Sequence, residues 1–173
     1  MNRLDINAIN ERSPYRVKES SRIGYYDFVS DSGIQFSVGF DLDDLFFHQE
    51  AYQLIIANVN HKSSPRDEKV RETILYIVEE FFRVNNVTVL YICESSDGKQ
   101  KMRSRLFKYW FSTFIDKAQF SMYSTSIVDE EGVDNFFAII SRNDNPHLGE
   151  AISEFSSTVQ LLSSKPGNSR ERA

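Results

Sequence analysis

The sequence holds a single cysteine, Cys93, so no disulfide within the chain can staple it, and a reducing, cytoplasmic compartment is the simplest expectation. Glycine and proline are scarce, with 7 and 4 residues in a chain of 173. Gly24, Gly33, Gly39, Gly98, Gly132, Gly149 and Gly167 are too widely spaced to build a glycine-rich phosphate loop. Also missing are a Walker loop, Gly-x-Ser-x-Gly, His-Glu-x-x-His and paired Cys-x-x-Cys, which removes the commonest signatures of nucleotide, acyl-transfer and metal chemistry. No apolar run approaches the roughly 18 residues that a membrane helix needs. The polar start, Met1 to Pro14 with Asp5 and Glu11, is expected not to act as a secretory signal. Lys and Arg (20) are outnumbered by Asp and Glu (25), and the net charge of -5 counts against nucleic acid or an anionic membrane as a partner of the whole surface.

What the sequence does have is large apolar side chains. Aromatics make up 13%, with 14 Phe among them, enough to fill a sizeable core without a metal or a disulfide. Phe36, Val38, Phe40 and Leu42 alternate with Gln35, Ser37, Gly39 and Asp41, the period of a half-buried antiparallel strand. Tyr25 to Ser30 reads as its hairpin partner across Asp31-Ser32-Gly33, where glycine can supply positive φ. Asp43-Asp44 interrupts the pattern, and Ala51 to Asn60 reads as another strand.

Ser64-Pro65-Arg66-Asp67 predicts a helix start with Ser64 as cap and Pro65 in the first turn. Val70, Ile74, Ile77, Val78 and Phe81 follow at helical spacing, and Asn85-Asn86 ends the run. Val87 to Cys93 is apolar and β-branched, as a central strand would be, and a second helix is expected from about Lys99 to Asp116. Gln119–Val128 and Val133–Arg142 flank Asp129-Glu130-Glu131-Gly132 as a hairpin. Asn145-Pro146 then opens a last helix with Leu148, Ile152, Phe155, Val159 and Leu162 in one stripe. The expected architecture is one α+β domain over residues 14–162, a mostly antiparallel, twisted sheet of six to seven strands with three main helices. Residues 1–13 would be a leader or short helix, and residues 163–173 a disordered tail.

From Gly24 to Arg142 the order of elements is similar to the GCN5-related acetyltransferase fold: a meander, a helix, a central strand, a second helix and a closing hairpin. The resemblance implies that Ala51–Asn60 and Val87–Cys93 splay apart to admit acetyl-coenzyme A. The family's glycine-containing pyrophosphate loop has no counterpart in His61-Lys62-Ser63-Ser64-Pro65-Arg66-Asp67. Pro65 lacks an N–H, and Asp67 puts negative charge where phosphate would sit. A second resemblance rests on Leu90-Tyr91-Ile92-Cys93-Glu94-Ser95-Ser96-Asp97-Gly98-Lys99-Gln100, continuing to Arg103, Arg105, Leu106, Phe107, Trp110 and Phe111. With Ser13-Pro14-Tyr15 and Asp144-Asn145-Pro146-His147 it resembles an uncharacterised bacterial family of small single-domain proteins, which implies kinship and no particular reaction.

One constellation carries a hypothesis. Lys99, Lys101, Arg103, Arg105 and Lys108 occur with no acid between Gly98 and Ile115. On a wheel of about 100° per residue, Met102, Leu106, Phe107, Trp110, Phe111 and Phe114 share a broad arc, with Lys101, Arg105 and Lys108 opposite. Arg103 falls inside the aromatic arc, where a charge needs a partner. Two readings stand: an anion site formed by Ser95, Ser96, Lys99 and Arg103, or an internal ion pair of Arg103 with Glu94 or Asp97 beside a solvated basic face.

Other candidates are bland. His48, His61 and His147 lack metal-ligand spacing, and Cys93 reads as core. Asp41, Asp43 and Asp44 read as a solvated acidic turn that could also hold a cation, and Tyr91 and Tyr123 are general acids only if a transferase site exists. The functional expectation is a binding module for a protein partner or a small phosphorylated ligand, without a cofactor. The alternative is an acetyltransferase-like enzyme that uses acetyl-coenzyme A.

Overall fold

The computed structural model of the chain describes residues 1–44, 46–63, 65–93, 100–114, 116 and 118–164. The elements in order are α1 (Ile6–Arg12), β1 (Lys18–Glu19), β2 (Tyr25–Val29), β3 (Gln35–Asp43), β4 (Ala51–Asn58), α2 (Glu68–Val84), β5 (Thr88–Cys93), α3 (Gln100–Phe114), β6 (Phe120–Val128), β7 (Asp134–Arg142) and α4 (Leu148–Ser163). The strands form one seven-stranded sheet in the order β1-β2-β3-β4-β5-β7-β6. Neighbours are antiparallel except β4 and β5, which are parallel. The α+β class, the mostly antiparallel sheet and the three long helices are those the sequence predicts. β1, two exposed charged residues without alternation, is an addition.

Turn chemistry fixes both hairpins. Gly33 closes β2–β3 at φ 75 and Gly132 closes β6–β7 at φ 79, both left-handed conformations that favour glycine. Gly39 has a different task. A Cβ there would come within 2.3 Å of the ring of Tyr25, its cross-strand partner, so the glycine makes room for an aromatic lying over the strand.

Helices cover both faces. On one, α1, α2 and α3 bury Ile9, Ile74, Ile77, Phe81, Phe107 and Phe111 against Phe28, Phe40, Leu54, Val89 and Phe136. Phe81 stacks on Phe40 at 4.0 Å between centroids and meets Tyr52 edge-on at 5.7 Å. On the other face α4 sets Ala151 and Phe155 against Leu90 and Ile139. The first residues join the same core through buried Leu4 and Ile9, and Asn2 hydrogen-bonds Asn85 and the Val84 carbonyl.

Two boundaries differ from expectation. α2 is capped by Asp67, whose carboxylate accepts from the N–H of Lys69 (2.9 Å) and Val70 (3.4 Å), so Pro65 precedes the cap and does not follow it. A carboxylate is an equally good cap, and it is held in place by the Tyr15 hydroxyl at 2.7 Å. α4 continues through Ser163, where a tail was expected to begin; residues 165–173 of that tail lie outside the described residues.

The parallel pair positions the site. β4 and β5 share Ala51↔Thr88, Tyr52↔Val89 and Gln53↔Leu90, with no further register pair. Beyond this short seam β4 runs on to Asn58 and β5 to Cys93 without meeting. The two strands named from sequence as those that splay are in register with each other over these three positions only.

Candidate functional site at the end of the parted strands

On β5, Tyr91 and Cys93 extend the face that α3 covers. Cys93 is buried, as expected of a core thiol. The Tyr91 ring stacks on Phe107 of α3 at 3.9 Å and 4° and meets Phe136 of β7 edge-on at 6.4 Å. Its hydroxyl stays protonated far above the usual tyrosine range. Burial is the main cause, interaction with the Cys93 thiol adds to it, and the positive charge of Arg103 opposes it. Tyr91, Cys93 and Arg103 are therefore one electrostatic neighbourhood at the carboxyl end of β5.

Arg103 is not where the helical wheel placed it. The side chain is exposed, and the buried line of α3 consists of Phe107 and Phe111, with Trp110 half-buried. Met102 (56%), Leu106 (39%) and Tyr109 (48%), the first two assigned to the buried arc, face outward. A helix lying over β5 and β7 presents only a narrow strip to the sheet, so two phenylalanines one turn apart consume it. The premise that Arg103 needs an internal partner because it is buried falls with this. Ser95, Ser96 and Lys99, the other proposed members of the anion site, and Glu94 and Asp97, the proposed internal acids, lie outside the described residues.

The flanks of α3 differ. Arg103 lies within electrostatic reach of Tyr91 on β5. On the other flank Lys101 reaches Asp134 at 3.7 Å and Lys108 sits 4.9 Å from the Phe136 ring centroid, both on β7.

The remaining candidates resolve into local structure. The Asp41 carboxylate is held by Arg22 at 3.0 Å and by the Tyr25 hydroxyl at 2.7 Å, and that of Asp43 accepts from the N–H of Phe46 and Phe47. His48 contacts Glu154 at 2.7 Å, and His147 lies 3.5 Å from Glu150. Among the described residues no group of His, Cys, Asp and Glu could hold a metal ion. Nor is any described helix long and apolar enough to cross a membrane. Tyr123 is partly exposed on β6.

A cleft of about 620 Å³ lies between α1, α2 and the start of β6, with none of the candidate residues in its wall. Its cations are held by nearby acceptors: Arg12 by Glu79 and Arg83 by Glu80, each at 2.7 Å, and Arg142 by Asp144 and the Phe82 carbonyl, while Glu11 and Asp116 also line the wall. It reads as the seam where the first helix docks.

Fold and site together define an α+β protein whose mixed sheet divides at one short parallel pair, with an aromatic and basic helix beside the division. The chain belongs to the family of unknown function DUF6169, whose model matches residues 66–157, from just before α2 into α4. No curated protein and no solved structure matches it.

Proposed function

We propose that the chain is a cytoplasmic binding module that takes a small phosphate-bearing ligand at the carboxyl end of β5, with Ser95, Ser96, Lys99 and Arg103 as the anion contacts and no cofactor of its own. The observation that carries this reading is the parting of β4 and β5 after Gln53↔Leu90. Carboxyl ends of parallel strands that diverge are where open sheets admit ligands. Arg103 lies within electrostatic reach of Tyr91 on β5 and offers a cation suited to an anionic oxygen. The test is Arg103→Ala with inorganic pyrophosphate as probe. Arg103 is exposed, so the variant should stay folded. Pyrophosphate should raise the melting temperature of the parent chain and leave that of the variant unmoved. An equal rise in both would sink the site.

The same parting favours a second reading, an acetyltransferase-like enzyme with acetyl-coenzyme A between the strands and Tyr91 as general acid. Asp67 weighs against it: its carboxylate already occupies the first N–H groups of α2, where the pyrophosphate of the cofactor would bind. Stabilisation by acetyl-coenzyme A but not by pyrophosphate would favour the enzyme.

A further inference from the structure

The two edges of the sheet are built differently. At one, β1 is two residues long, Lys18 and Glu19, both charged and exposed, which is how natural sheets discourage strand addition. At the other, β6 runs for nine residues, Phe120–Val128, with no Lys, Arg, Asp, Glu, Pro or Gly among them. Among the described residues no strand pairs with its outer side.

The hydrogen bonds at the ends of the hairpin set its phase. The Asn143 N–H donates to the Gln119 carbonyl and the Asp129 N–H to the Val133 carbonyl. Odd-numbered residues of β6 therefore bond to β7, and the backbone groups of Met122, Ser124, Ser126 and Val128 point away from the sheet. The Phe120 N–H also points outward but is taken by the Asp116 carbonyl.

A strand added there would meet different chemistry on its two faces. On one stands the Lys101, Arg105 and Lys108 flank of α3, anchored over Asp134 and Phe136, the register partners of Val128 and Ser126. On the other are Tyr123, 41% exposed, and α4. A second copy of this chain fits poorly. Edge-to-edge pairing about a twofold axis would put both α3 helices on the same face, cationic flank toward cationic flank; β6 itself carries no carboxylate, and Asp134, the acid on this flank, is already engaged by Lys101 of its own copy.

We propose that β6 is a docking edge for an extended segment of another protein, with carboxylates at alternate positions toward Lys101, Arg105 and Lys108 and apolar residues between them toward Tyr123. Main-chain hydrogen bonds supply the attachment, and the flank of α3 selects the partner's charge. The proposal uses the opposite flank of α3 from Arg103 and does not depend on the anion site.

The test is titration of the full chain with a blocked peptide of alternating Glu and Val, about eight residues long to match a typical strand, against its Lys–Val counterpart. The Glu peptide should bind at least tenfold more tightly, with new exchange protection at the amides of Met122, Ser124, Ser126 and Val128. Ser124→Pro removes an outward N–H and no bond to β7, so the chain should stay folded and lose the peptide. Lys101→Glu with Lys108→Glu should invert the charge preference whether or not the proline variant folds. Equal binding of both peptides, no binding of either, or a dimer of the free chain that Ser124→Pro dissolves would each overturn the proposal.

Discussion

Glu80 shows how much one side chain can decide. It is a buried carboxylate near the C-terminal end of α2 that accepts from Arg83 twice at 2.7 Å and from the Asp5 N–H at 3.0 Å, tying the start of α1 to α2. The Arg83 bonds hold its pKa below the ordinary glutamate value, against the opposing effect of burial. A lowered folded pKa means stability that is present above the unfolded value and lost as pH falls through the folded one. Glu80→Gln should therefore cost about 1–3 kcal/mol at pH 7, and urea denaturation should show the gap to the parent chain closing as the solution is taken below about pH 4. Equal midpoints at pH 7 would refute this role. Nothing in the sequence announces Glu80, because its donor on α1 is seventy-five positions away. The Ser64–Asp67 motif announces the helix start but not that Asp67 is its cap. Serine and aspartate both cap helices, and only the Tyr15 bond distinguishes them here.

At the scale of elements, α3 is where pattern and packing diverge. The wheel gave a broad apolar arc, whereas the sheet accepts Phe107 and Phe111 and leaves Met102 and Leu106 outside. Phe107→Ala should cost about 3–5 kcal/mol, as large core truncations do, while Met102→Ala, at a side chain 56% exposed, should cost no more than about 1 kcal/mol. Chemical denaturation of the pair decides it; comparable losses would restore the broad arc. The strands and the long helices are legible from local signals, namely turn glycines, apolar runs and helical spacing, although β3 is buried continuously from Phe36 to Phe40 and not at alternate residues only. The orientation of α3 is not, since it depends on the width of sheet left between α2 and the edge. Of the proposed anion site, only Arg103 lies within the described residues, and there its exposure corrected the inward placement.

For the whole molecule, the division between β4 and β5 separates two units that close locally. The β2–β3 and β6–β7 hairpins each join through a tight glycine turn, whereas Ala51↔Thr88 must wait for all of α2 to be laid down. Loop-closure entropy puts such pairings late. Val89→Ala in the seam, a loss of roughly 2 kcal/mol, should slow folding less than about threefold and speed unfolding about tenfold. Ile127→Ala beside the β6–β7 turn should place more of its effect on folding. Stopped-flow chevrons of the two variants compare them, and a seam variant that mainly slows folding would reverse the order. A few register pairs thus become a matter of timing. If the hairpins close first, α2 has to dock Phe81 against Phe40 and Tyr52 before the inner margins of the sheet meet, and the rate of that docking sets how long they stand open to a wrong partner.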